Sequence, residues 1–94
     1  MSITQAVELA ALLKQLQESI NVDPNLKVEE KNEALEQLEK IAVAGTDIKS
    51  GEMQKLAKAA SITLKGMMTE LPNATNFVEA CSKLLPLISK IFGF

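Results

Sequence analysis

The stretch LPNATNFVEACSKLLPLISKIFGF, residues 71–94, decides the fold. Phe77, Cys81, Leu84, Ile88 and Ile91 follow one another in alternating steps of four and three, and Val78, Leu85 and Phe92 widen the same stripe, which is the periodicity of a helix buried along one side. Pro72 and Asn73 open the segment, so a helix is predicted over about 73–92. Pro86 lies inside it with no N–H to offer the Ser82 carbonyl, and a kink into two half-helices is expected there. The polar strip is narrow, made of Asn76, Glu79, Lys83, Lys90 and serines, and a helix so apolar is ordinarily central to a core.

Working back from this helix, the run Met53, Leu56, Ala60, Leu64, Met67, Leu71 keeps the same spacing behind Ser50, a good N-cap, and predicts a helix over about 51–70. Gly66 inside it costs roughly 1 kcal/mol against Ala, and close approach of another helix is the expected reason. Val28, Leu35, Leu38 and Ala42, with Ile41 beside them, predict a helix over about 28–44, with Glu29 and Glu30 in its first turn and Gly45 as its C-terminal cap. Leu9, Leu12, Leu13, Leu16 and Ile20 predict the first helix over about 3–20, started by a Ser2/Gln5 capping box. Asn21, Asp23, Pro24 and Asn25 form the turn that follows. No segment alternates apolar and polar residues with period two, so no sheet is expected. The chain is read as one all-α domain over 1–94, a four-helix bundle or an orthogonal four-helix domain.

Composition narrows the chemistry. Apolar residues are 47% of the chain and charged ones 23%, the balance of a globular domain. Histidine is absent, which removes the usual proton shuttle and the commonest metal ligand, and arginine is absent too, which removes the bidentate anion fork. No nucleophile with its base, metal-ligand spacing or phosphate cradle is visible, so no catalytic residue, cofactor or metal is assigned and a non-enzyme is expected. Cys81 sits on the apolar stripe and reads as an inert thiol. The Met53, Met67 and Met68 side chains read as packing, with an adaptable partner groove as the other reading. A net charge of −2 argues against general nucleic-acid binding. Nothing near the N-terminus has the pattern of a signal peptide, and the cytoplasm is the expected location.

The charge is unevenly spread. Residues 1–44 carry eight carboxylates against four lysines, whereas residues 45–94 carry six lysines against four carboxylates. The division serves either complementarity between helix pairs of one molecule or the meeting of one molecule's acidic face with another's basic face. On the second reading Glu29, Glu33, Glu36, Lys55 and Lys58 are the candidate partner-binding residues, and the partner is another protein or a second copy of the chain. The last helix offers a further surface: Leu87, Ile91, Phe92 and Phe94, edged by Lys83 and Lys90, are candidates for contact with a membrane interface or with a symmetry mate. Charges interrupt this helix too often for it to span a bilayer.

The phrases EALEQLEKIAVAG at 33–45, GEMQKLAKAA at 51–60 and LPNATNFVEACSKLLPLISKIFGF at 71–94 together resemble small helical modules of cyanobacteria. Such modules are often found at the ends of longer chains with pentapeptide repeats or signalling NTPase domains. The resemblance covers about residues 23–94. It implies a bacterial, non-enzymatic adaptor or effector module of death-like type, and it carries over no catalytic residue.

Overall fold

Four helices follow one another in the computed structural model, which describes residues 3–94: α1 (Ile3–Val22), α2 (Val28–Ala44), α3 (Gly51–Glu70) and α4 (Thr75–Phe92). Three short connections, 23–27, 45–50 and 71–74, leave each helix little choice but to turn back beside its predecessor. α1 packs on α2 and α4, α3 packs on α2 and α4, and the diagonal pairs do not meet among the described residues. A 20-residue helix is about 30 Å long, and the molecule measures 36 × 22 × 19 Å, so the helices run along its length. The architecture is the antiparallel bundle rather than the orthogonal alternative.

The core is aliphatic apart from two phenylalanine rings, Phe77 and Phe92, one near each end of α4. Leu9, Leu12, Leu16 and Ile20 from α1, Leu38 and Ile41 from α2, Leu64 and Met67 from α3, and Phe77, Leu84, Leu85, Ile88 and Phe92 from α4 are all buried. Alanines fill the close contacts, with Ala34, Ala44, Ala57 and Ala60 at 1% exposure or less. α4 contributes the widest buried face, and it runs from Thr75 to Phe92 as one helix with Pro86 inside it. Ser82 and Pro86 both lie on its exposed side, where water can serve the carbonyl that proline leaves without a donor.

Local chemistry sets the ends. Ser50 Oγ accepts from the Met53 N–H at 3.5 Å and starts α3 as expected. Glu30 Oε1 accepts from the Lys27 N–H at 2.8 Å at the start of α2. α1 runs two residues past Ile20 to Val22, and Lys31 Nζ donates to the Asn21 carbonyl at 2.9 Å near its C-terminus. Ser2 of the expected capping box lies outside the described residues.

The glycines exchange roles. A Cβ on Gly66 would meet nothing within 4 Å, so no helix packs closely there. Close approach occurs instead at Gly45, where a Cβ would lie 2.5 Å from Leu9 Cδ2 and 3.2 Å from the Ala42 carbonyl oxygen. Gly45 does close α2, but with φ −65°, a conformation open to any residue; the space beside Leu9 is what calls for glycine. Gly45→Ala is therefore expected to cost about 1–3 kcal/mol through overpacking, while Gly66→Ala gains roughly 0.5–1 kcal/mol. Thermal melts moving in the same direction for both variants would contradict this assignment.

α2 also presents a different face from the one its pattern suggests. Ala34, Gln37, Leu38, Ile41 and Ala44 point inward, Leu35 is half-buried, and Val28 and Ala42 are exposed, Val28 at 72%. The rotation places Leu35 and Ala42 on the seam with α1 instead of in the core.

Candidate functional site

Two polar latches hold α4 in place, one at each end of the bundle. At the first, Asp23 is fully buried: its Oδ1 accepts from the Asn25 N–H at 2.9 Å and its Oδ2 from the Phe77 N–H at 2.9 Å. Phe77 is the third residue of α4, whose own N-cap position, Ala74, has no side chain able to cap. The missing cap thus comes from the α1–α2 turn, and a carboxylate there also meets the positive end of the α4 dipole. Asn25 Nδ2 donates to the Asn73 carbonyl at 2.8 Å and joins the same two turns. At the other end Gln54 Nε2 donates to the carbonyls of Ile48 at 3.0 Å and Phe92 at 3.2 Å.

The bundle built this way displays charge on separate surfaces. Glu29, Glu33 and Glu36 are exposed on α2, and Lys55 and Lys58 are exposed on α3. Among the described residues the ion pair is Lys40–Glu36 at 3.9 Å, one turn apart within α2, and none joins the acidic half of the chain to the basic half. The two sets are not brought together in one molecule. Glu36, Glu39 and Lys40 border a shallow groove against Leu56 of α3. Lys58 instead lines a second depression, of about 440 Å³, between α3 and α4, together with Ser61, Ile62, Lys65, Pro86, Ser89 and Phe94. Ser61 is buried and its Oγ has no hydrogen-bond partner among the described residues.

Gly93 shapes that second depression. With φ 87° it ends α4 in the left-handed conformation, and the N–H groups of both Gly93 and Phe94 donate to the Ser89 carbonyl. The turn sends Phe94 back over the helix end, where its ring stacks on Phe92 with centroids 5.9 Å apart and remains 40% exposed.

The residues of the last helix therefore separate. Leu87 is 44% exposed and Phe94 lies on the surface, Ile91 is half-buried, and Phe92 at 3% belongs to the core. Phe92 is thus not available for contact with a membrane or a symmetry mate while α4 is docked. Undocking α4 would uncover Phe77, Leu84, Leu85, Ile88 and Phe92, each worth about 1.5–3 kcal/mol. That loss, on the order of 10 kcal/mol, equals the whole stability of a typical domain. Among the described residues no helix is long and apolar enough to cross a membrane.

One surface was not anticipated from the pattern. Ala10, Leu13, Leu35, Leu38 and Ala42 line an open groove of about 630 Å³ between α1 and α2, edged by Lys14, Gln17 and Glu39. Its signal in the sequence is the set of off-centre positions Leu13, Leu35 and Ala42, which widen the apolar stripes of α1 and α2 beyond what the core takes up.

Met67 is buried, and Met53 and Met68 pack against the core from its edge. No group of three or more potential metal ligands exists among the described residues. Cys81 is 1% exposed, and burial pushes its thiol up from the ordinary 9.0 to about 12. It is expected to stay silent to a thiol reagent in the folded protein and to react only on unfolding. Because the folded value lies above the unfolded one, this stabilisation is complete below pH 9 and declines as pH rises from 9 toward about 12. Denaturation midpoints across that window should fall less steeply in Cys81→Ala than in the parent. No family model, curated protein or solved structure matches the chain.

Proposed function

We propose that this chain is a non-enzymatic interaction module that binds another protein, or a second copy of itself, by pairing its acidic surface with a basic one. The observation that supports this most is the separation just described: among the described residues, exposed Glu29 and Glu33 on α2 and exposed Lys55 and Lys58 on α3 make no ion pair within their own molecule. Charge left exposed on separate surfaces steers association and fixes its register, although each pair on its own adds little affinity. The resemblance to the cyanobacterial modules fits such a role in bacterial signalling or defence, within the cytoplasm.

Solution mass by light scattering, across a concentration series and a salt series, tests the homotypic form of the proposal. Growth of the mass with concentration and its loss at high salt are expected, since salt screens exposed charges beyond about 8 Å at physiological strength. A mass that stays monomeric throughout would overturn it and leave a different protein as the partner.

A second reading rests on the exposure of Leu87 and Phe94 beside Lys83 and Lys90, which gives the α4 surface both apolar and cationic groups. It is contact with an anionic membrane by the docked bundle. Flotation with anionic vesicles, lost in Leu87→Ser/Phe94→Ser, would favour it over protein association.

A further inference from the structure

We infer that the cleft between α3 and α4 seats the first three turns of α2 from a second copy, so that copies add head to tail. This rests on the homotypic reading above and gives it a donor, an acceptor and a register.

The acceptor is the depression lined by Lys58, Ile62, Lys65 and Phe94, with two lysines and no Asp or Glu side chain in its walls. Ile62 lies between the two lysines on the outer side of α3 and is 58% exposed, an apolar group of the kind a partner would cover. A fitting occupant is therefore a helix with carboxylates on one face and an apolar side chain at the edge of that face. The beginning of α2 has that composition: Val28, 72% exposed, is followed by exposed Glu29, Glu33 and Glu36. Glu36 holds only the loose pair to Lys40, itself partly exposed, which a new partner can displace.

Spacing supports the match. Lys58 and Lys65 are seven residues apart, as are Glu29 and Glu36, so each pair spans two helical turns, about 10.5 Å. One register lets both carboxylates reach both ammonium groups. Lys55 and Glu33 then add charge of the same complementary sign alongside.

Donor and acceptor are different surfaces of the same molecule. Glu36 borders Leu56 on the α2–α3 side, Glu29 and Glu33 precede it at helical spacing on the same side of α2, and the cleft lies on the α3–α4 side. Using one leaves the other free, so the contact is heterologous and the assembly grows beyond a dimer.

The test uses two charge reversals of exposed residues, Lys58→Glu/Lys65→Glu and Glu29→Lys/Glu36→Lys, with helicity by circular dichroism as the check on folding. Each variant alone is expected to associate on the order of a hundredfold more weakly than the parent, because like charges then face one another. An equimolar mixture should regain the parent's mass, since each variant carries the surface that the other has lost. Should the parent associate but both reversals associate equally well, the cleft is not the seat, though the homotypic reading survives. A mixture that stays monomeric likewise overturns the inference. A parent that is monomeric at every concentration defeats both readings. If that monomer instead floats with phosphatidylserine vesicles and Lys58→Glu/Lys65→Glu does not, the cleft takes anionic lipid rather than a second copy.

Discussion

Replacing Asp23 by alanine is expected to lower stability by about 3 kcal/mol, since a hydrogen bond to a charged group is worth about 1.5–3 kcal/mol and two are removed. For a domain of this size that corresponds to a fall in Tm of roughly 12–24 °C. The effect is large for one turn residue because Asp23 is fully buried and because the Phe77 N–H, at the start of α4, has no local side chain to replace the carboxylate. Asp23→Asn should fall between the two: it keeps the volume and one acceptor oxygen, but turns an amide N–H₂ toward one of the two backbone donors. Asn25→Ala, which removes an exposed 2.8 Å bond to the Asn73 carbonyl, should cost no more than about 1 kcal/mol. With neither Trp nor Tyr in the chain, the melts are followed by circular dichroism. A shift of only a few degrees for Asp23→Ala would mean that the latch does not hold α4.

Phe77→Ala should do at least as much damage, about 3–5 kcal/mol, by leaving a cavity where the largest fully buried side chain stands. Against a total of about 5–15 kcal/mol for a typical domain, this brings the variant close to unfolding at ambient temperature. A shallow, poorly cooperative transition is the expected result, and a sharp one near the parent's Tm would show that the core closes over the gap. The two substitutions strike one residue from two directions, through its backbone N–H and through its ring. Their effects are therefore expected to be less than additive in the double variant, since either one alone loosens the start of α4.

Much of this architecture could be read from the chain. The helices of residues 28–44 and 51–70 begin and end where periodicity and the Ser50 cap put them, because those signals are local. The start of α4 was less legible: Asn73 stood two residues too early, since the group that caps the helix is Asp23, 54 residues away, and no local pattern reports such a partner. The inward face of α2 was misjudged for another reason. Ala34 and Ala44 point into the core while the larger Val28 and Leu35 do not, so ranking positions by side-chain size selects the wrong side of a helix held close to its neighbours. Gly66 and Gly45 were likewise indistinguishable until Leu9 was placed beside one of them. Of the candidate site, the charges of α2 and α3 were plain from the sequence. Their distribution between two separate surfaces was not, because it depends on which sides of α2 and α3 the neighbouring helices cover.

The contact between Asp23 and Phe77 also orders events during synthesis. The turn at residues 23–25 leaves the ribosome early, yet its carboxylate cannot reach its second donor until the start of α4 has followed. Until then α1, α2 and α3 lack the helix that supplies Phe77, Leu85 and Ile88, and the faces of α1 and α3 that α4 covers stand open. A nascent chain stalled before α4 therefore exposes Leu16 and Ile20 to whatever binds apolar surface, and commitment to the native state waits for the last helix.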